Sequence, residues 1–589
     1  MHPAALSFFR QTIPVIRQRS GPGMATPLTL NDGYYDDPIV AVRFGHPLVE
    51  RGFEFLMRDI LQAALAPRSL SDWRRLLASP PPPDQLEKAI APYEGAFLID
   101  HPSHPVLQVR PSPERLAEAA GRKPSKARRT VQEDVDEDDE DTLGLQPIAT
   151  LLPDAPTGEA VKQDADFFVR RGGVTAIGAG AILPVLYAHM VLFPPGGGGY
   201  LGLPHGADSI KFQMVGATLW ETLWLNVLTQ DAEGMGTAAW PAPSDATVFP
   251  WLDDSLAGMP LGRKDEQAGR SMERARLHPA HIPMPRRYLL APPAPGRCDL
   301  TGLEGPVFTG YSRWPKGLAY QAKGWWMPWA SRLLSPDKPD DPSQFLRARG
   351  PLRFDDWLET ALFTDRPAGN TSNAAKRRLL PPVLRQFQSA GSSGTVSQSR
   401  RSGAQPHATA LMEEGSLRIR ACTQFFYNKP VGGMSQRELP VFDLPSADLG
   451  WLGGEMSRTL ESLGRMAGAL QAAARNACRA GHREGAAALA DHLKDRLLAD
   501  LDGTVLDGSG RLAIIARERP TDDERFEAAE AVARTLLFQG RDAAIRLFDE
   551  AFPITGTAST DRPLAVERRE LIGRLIAILS SKTVPGEAS

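Results

Sequence analysis

From Pro445 onward, apolar residues recur at three- and four-residue spacing, and this limits the possible fold more than any other feature of the chain. Leu449, Leu452, Met456, Leu460, Leu463 and Leu470 form one run, and Leu489, Leu493, Leu497 and Leu501 a second. Phe526, Ala529, Val532 and Leu536 make a third, and Leu571, Leu575 and Leu579 a fourth. Such spacing puts one apolar stripe on each helix, and each stripe needs a partner to cover it. Gly481, Gly503 and Pro520 punctuate the runs. Residues 446–589 are therefore expected to form a four-helix bundle.

Nothing upstream shows that regularity. A chain of 589 residues is too long for one ordinary core. Residues 1–445 read as a mixed domain of short helices and strands. Pro47–Ala66 has a helical stripe, Asp84 is placed to cap a helix running through Ala91, and Phe97–Val109 reads as strand, turn, strand. Strand-like sequence returns at Leu417–Tyr427. The fold class is thus α+β, a large mixed N-terminal domain followed by the bundle. Two stretches break the pattern. Residues 118–145 join Arg122–Arg129 to the acidic run Glu133–Asp141, and residues 365–414 include the Ser-rich piece Ser389–Ser402. Neither carries enough apolar surface to order itself, so both are expected to be disordered insertions.

A net charge of −3 excludes a generic polycation, so any contact with nucleic acid must come from local patches. The three cysteines, Cys298, Cys422 and Cys478, are too few for a Cys₄ zinc site and too scattered for a disulfide framework. No apolar run approaches the ~20 residues that span a bilayer, and Met1–Arg10 lacks the layout of a signal peptide. These features point to the cytoplasm.

The stretch Phe193-Pro-Pro-Gly-Gly-Gly-Gly-Tyr200 stands out, followed by the apolar Leu219–Thr229, which reads as helical. Four residues without a Cβ let the backbone approach a ligand closely. No Lys-Ser/Thr follows them, and no Gly-x-Gly-x-x-Gly spacing opens a helix, so this is neither phosphate-binding fingerprint. Taken alone, the run is a surface turn.

Its meaning changes with the order of stretches around it. Asp84–Tyr93 leads into Phe97–Gln108, and Phe168-Val169-Arg170 precedes the glycines. Leu225–Thr229, His278–Ile282, Gly296-Arg297-Cys298 and Tyr427-Asn428-Lys429 follow, and the helical region closes the chain. In this order the chain resembles the large subunit of the type I-E CRISPR Cascade surveillance complex. The resemblance implies a subunit that reads the protospacer-adjacent motif of double-stranded DNA from the minor groove, opens the duplex beside it and helps recruit a helicase–nuclease. It implies as partners the other Cascade subunits, the guide RNA and the target duplex. Residue by residue, Gly196, Gly197, Gly198 and Gly199 match the family's glycine loop. Arg297 falls where relatives carry a lysine finger. Asn428 and Lys429 match the strand-separating wedge, although relatives often have glutamine second. Phe168, Val169 and Arg170 match the loop that seats the subunit on the complex.

Other constellations are thinner. His278, His281 and Cys298 offer three metal ligands with no fourth nearby, and His101 and His104 lie between prolines as turn residues. Trp314, Trp325, Trp326 and Trp329 read as core. No Ser/His/Asp order or isolated carboxylate pair stands out, so no catalytic residue, metal or cofactor is assigned. Two other readings remain open: a metal-dependent nuclease using His278, His281 and nearby acids, and a scaffold that binds only protein, with the glycines as a linker.

Overall fold

Helix α1, Pro47–Ala64, starts where the sequence puts it. Pro47 fills the first turn, and the His46 ring accepts from the Leu48 amide at 3.2 Å. It is buried on nearly every side, from Leu48 to Ala63. Helix α2, Ala179–Val191, crosses it at Gly52, where a Cβ would stand 2.3 Å from the Pro184 carbonyl. Only glycine permits that approach.

The computed structural model describes residues 5–65, 67–121, 145–152, 155, 172–192, 209–230, 232, 242–259, 261, 271–272, 278–314, 317–320, 328–334, 344–348, 350–363, 377–392, 417–426, 431–442, 444–480, 485–519, 521–554, 556 and 561–581. The fold is mixed helix and sheet with a helical C-terminal region, and the chain divides into two compact units. Met1–Pro351 with Pro381–Glu438 forms the first, and Leu352–Leu380 with Leu439–Ser589 the second.

Because α1 is buried all round, its polar residues must find partners inside the protein. Arg58 donates to the carbonyls of Asn226 and Pro279 at 2.8 and 3.0 Å and to Asp59 at 2.5 Å. Asp59 also accepts from the Tyr187 hydroxyl on α2. Gln62 pairs with both backbone groups of Leu228. These residues form a strip that fixes the chain at 226–228.

Among the described residues the sheets are small, of two or three strands. One orders Val431–Pro440, Arg418–Phe426 and Lys211–Val215, and another orders Ile177–Gly178, Glu304–Phe308 and Ala294–Arg297. The strand, turn, strand expected at 97–109 is absent. A 3₁₀ turn, Ala91–Phe97, gives way to turns in which Gln108 bonds the carbonyls of Ile99 and Val106. Pro102 and Pro105 cannot donate to a ladder, which accounts for the miss. The helix expected over 219–229 is also shorter, stopping at Trp224.

In the second unit, helix α3, Ser446–Ala480, packs against Ala486–Asp500, Asp502–Glu518, Asp522–Ala551 and Asp561–Ser580. Leu452, Met456, Leu463 and Leu470 are fully buried, as their spacing predicts. The break expected at Gly503 falls at Leu501 instead, and Gly503 lies inside the next helix, Asp502–Glu518. Phe526, expected on the stripe, is 47% exposed. Asp502 and Asp495 tie down a short helix, Phe354–Ala361, by accepting from the Phe354 amide and Arg353.

Of the two stretches read as disordered insertions, 122–144, 365–376 and 393–414 lie outside the described residues, while 118–121 instead close a helix, Pro113–Gly121. Residues 377–392 do not fit that expectation. They form a strand, Arg377–Leu379, and a helix, Pro382–Ser392, with Val383 and Leu384 fully buried. A short apolar pattern, Leu379-Leu380-Pro-Pro-Val383-Leu384, is embedded in low-complexity flanks. No helix among the described residues is long and apolar enough to cross a membrane.

Candidate nucleic-acid interface

Among the residues matched to the reading elements, Arg297 is described. Gly196–Gly199, Asn428, Lys429, Phe168, Val169 and Arg170 lie outside the described residues, but the elements flanking them are in place. Residues 193–208 run from the end of α2 to the strand Lys211–Val215. Residues 427–430 link the neighbouring strands Arg418–Phe426 and Val431–Pro440. Lys211–Val215 and Arg418–Phe426 are antiparallel, with Cys422 opposite Lys211 and Arg418 opposite Val215. The entry to the first strand therefore lies beside the exit from the second, and Thr423 Oγ1 still reaches the Ser209 carbonyl at 3.2 Å. Two segments more than 200 residues apart in sequence join the sheet at the same end.

Buried polar groups hold that sheet. Asn226 accepts from the Met214 amide at 2.9 Å and donates to the carbonyls of Met214 and Thr222 at 2.8 and 2.7 Å. Glu54 of α1, itself buried, accepts from Arg51 at 2.6 Å and from Arg420 at 2.9 Å. Arg420 and Arg418 share Glu438 on the next strand. Burial pushes the Glu54 carboxyl up, and the adjacent Arg51 charge opposes that. Sequence reasoning missed these roles. The available signal was a lone polar residue in an apolar run, such as Asn226 between Leu225 and Val227, or Glu54 between Phe53 and Phe55.

Arg297 ends the strand Ala294–Arg297, directly opposite Glu304. The hairpin tip closes through Cys298 N to Leu303 O at 2.9 Å and Gly302 N to Cys298 O at 2.8 Å. Gly302 has φ +73°, a conformation that side chains disfavour. Arg297 is exposed, and its Nε donates to the Gly302 carbonyl at 3.1 Å.

The histidines serve the core. The Thr247 carbonyl can only accept, so His281 Nδ1 carries the proton and donates to it at 2.6 Å. His281 Nε2 then accepts from the Tyr320 hydroxyl at 2.9 Å, whose oxygen accepts from the Met284 amide. His278 Nδ1 accepts from the Ala280 amide at 2.9 Å. Burial holds both rings down to about 4, neutral at ordinary pH. Cys298 is buried at the tip of the Arg297 hairpin, and no metal-binding group of three or more His, Cys, Asp or Glu exists among the described residues. Trp314 and Trp329 are core, while Trp325 and Trp326 lie outside the described residues.

Residues 10–539 match the family model of CRISPR-associated protein Cse1. The chain belongs to the Cse1 family. Members of this family are the large subunit of type I-E Cascade. The Cse1 fold is shared with solved structures at low identity. Thermus thermophilus CasA (Cse1) is 17% identical, with a TM-score of 0.60 over 97% of this chain and 99% of that one. Cse1 from Acidimicrobium ferrooxidans is 15% identical, with a TM-score of 0.60 over 98% and 99%. Thermobifida fusca Cse1 is 16% identical, with a TM-score of 0.56 over 98% of each chain. No curated protein matches the sequence.

Proposed function

We propose that this Cse1-family subunit reads the protospacer-adjacent motif from the minor groove, starts duplex opening and helps recruit a helicase–nuclease, without catalysing a reaction itself. It acts with the other Cascade subunits and the guide RNA on double-stranded target DNA. One observation supports this reading: the strand that follows the Gly196–Gly199 stretch in sequence begins beside the end of the strand that precedes Asn428–Lys429. A reader and a wedge must act on neighbouring base steps, so a common rigid base suits them. The minor groove is only ~6 Å wide, and a backbone free of Cβ atoms enters it with least obstruction. Its acceptors barely distinguish A·T from T·A, so such a reader tolerates related motifs. Opening a base step costs a few kcal/mol, which a wedge offsets by filling the gap.

The test replaces Gly197 and Gly198 with valine in the assembled complex. Binding to motif-bearing duplex should fall far more than binding to guide-complementary single strand, because single strands need no groove entry. Equal losses on both substrates would overturn the reading and favour a protein-only scaffold. Divalent-metal-dependent cleavage by the isolated chain would favour a nuclease.

A further inference from the structure

Asp299 lies two residues beyond Arg297, and its carboxylate bonds to Thr175 and Ala176 rather than to that cation. Oδ2 accepts from the Thr175 amide at 2.6 Å, from the Thr175 hydroxyl at 2.9 Å and from the Ala176 amide at 2.9 Å. The Asp299 amide returns a bond to the Ala176 carbonyl at 2.9 Å. This four-bond clasp continues the pairing of Ile177–Gly178 with Val307–Phe308, the strand behind the finger. Beside it, buried Cys298 packs on Gly178, where an added Cβ would stand 3.0 Å from the cysteine's own. The Thr175 amide, more than any other group, holds the Asp299 carboxyl below its usual range.

We propose that Asp299 is a positioning residue that aims Arg297. A carboxylate this close to a reading cation would ordinarily compete with DNA for it. Here its Oδ2 is used on Thr175 and Ala176, while Arg297 Nε is used on Gly302. The two terminal nitrogens of Arg297 make no hydrogen bond to a described residue and remain for base acceptors. The clasp fixes the backbone from which the guanidinium projects, and a groove contact loses much of its selectivity when its origin shifts by about 1 Å. The inference rests on reading Arg297 as the base-contacting finger.

The experiment uses the assembled complex with its guide, a panel of duplexes differing only in the motif, and a guide-complementary single strand, all at one salt concentration. Four variants are compared with wild type: Arg297→Ala, Asp299→Ala, Asp299→Asn and the Arg297→Ala/Asp299→Ala double variant. Arg297→Ala should flatten the spread between best and worst motif by roughly tenfold. Asp299→Ala should flatten it to a similar degree and leave single-strand affinity unchanged. Asp299→Asn should restore most of the spread, since its amide oxygen still accepts from the two backbone amides. In the double variant the Asp299 change should add nothing, as expected of a residue acting through another.

An unchanged spread in Asp299→Ala, with Arg297→Ala flattened, would overturn the positioning role and leave the proposed function standing. The same holds if Asp299→Ala costs equally with and without Arg297, which marks a purely structural clasp. Unchanged motif ranking in Arg297→Ala would overturn the finger reading itself, and this inference with it.

Discussion

Gln386 commits its whole side-chain amide to one stretch of backbone. Its Oε1 accepts from the Thr229 amide at 2.7 Å and from the Thr229 hydroxyl at 3.2 Å, and its Nε2 donates to the Val227 carbonyl at 2.9 Å. With Asn226 and Gln62 it immobilises residues 226–229, just after helix Leu219–Trp224. All of these groups are buried, so removing one side leaves the others unsatisfied. Gln386→Ala strands one amide and one carbonyl, each costing about 1–3 kcal/mol. The variant should lose about 2–6 kcal/mol in denaturant unfolding followed by a core tryptophan signal. A loss under about 1 kcal/mol would mean that water replaces the amide and that the clamp matters little.

At the scale of elements, the hairpin Arg418–Phe426/Val431–Pro440 is the arm that bears the proposed wedge. Its base is bound to α1 through Glu54, Arg420 and Glu438, and to Lys211–Val215 by the antiparallel ladder. A buried ion network of this kind contributes little net stability against an apolar alternative, yet it is costly to break by removing one partner. That makes it suited to fixing an orientation. If Asn428 and Lys429 are the wedge, replacing both with alanine should leave initial motif binding nearly intact and abolish strand separation. A fluorescent base analogue at the first target position reads the separation. Negative supercoiling should partly rescue it by lowering the cost of opening. Binding that falls as far as opening would instead make the pair a phosphate contact, and normal opening would move the wedge elsewhere, with Phe426 and Tyr427 next to test.

At the scale of the whole molecule, two buried histidines set an acid limit that a buried carboxyl opposes. His278 and His281 are held down to about 4, against about 6.5 in an unfolded chain, so the unfolded state binds more protons between those values. Their contribution is complete above pH ~6.5 and is lost as pH falls toward 4, at most about 3 kcal/mol each. Asp59 works in the opposite sense. Burial raises it to about 6, so it takes up a proton in the folded state first and gains stability on acidification. Among these three groups the two histidines outweigh the carboxyl. Melting temperature should therefore fall between pH 7 and 4.5, and His281→Gln should flatten that slope while lowering stability at pH 7. A slope unaffected by the substitution would move the acid limit to other groups.

How much of this was legible in the chain follows from the range of the forces involved. Helix α1 and the stripe of α3 could be read directly, because apolar periodicity acts within a few residues, whereas Asp84, expected to cap its helix, lies inside the first turn of Pro83–Ile90. The family was legible too, from short stretches recurring in one order. Within the helical region, only packing decided that Phe526 faces solvent and that the second run breaks at Leu501. Helix Pro382–Ser392 was hidden by its low-complexity flanks, and its order comes from burying Val383 and Leu384 in the first unit. The partners of the two histidines, Thr247 and Tyr320 for His281 and Ala280 for His278, come only from the fold. Most of all, nothing local pairs Lys211 with Cys422. Strand partners are chosen by burial and hydrogen bonding across the whole domain, so the entry to Lys211–Val215 comes to lie beside the exit from Arg418–Phe426 only in the folded protein.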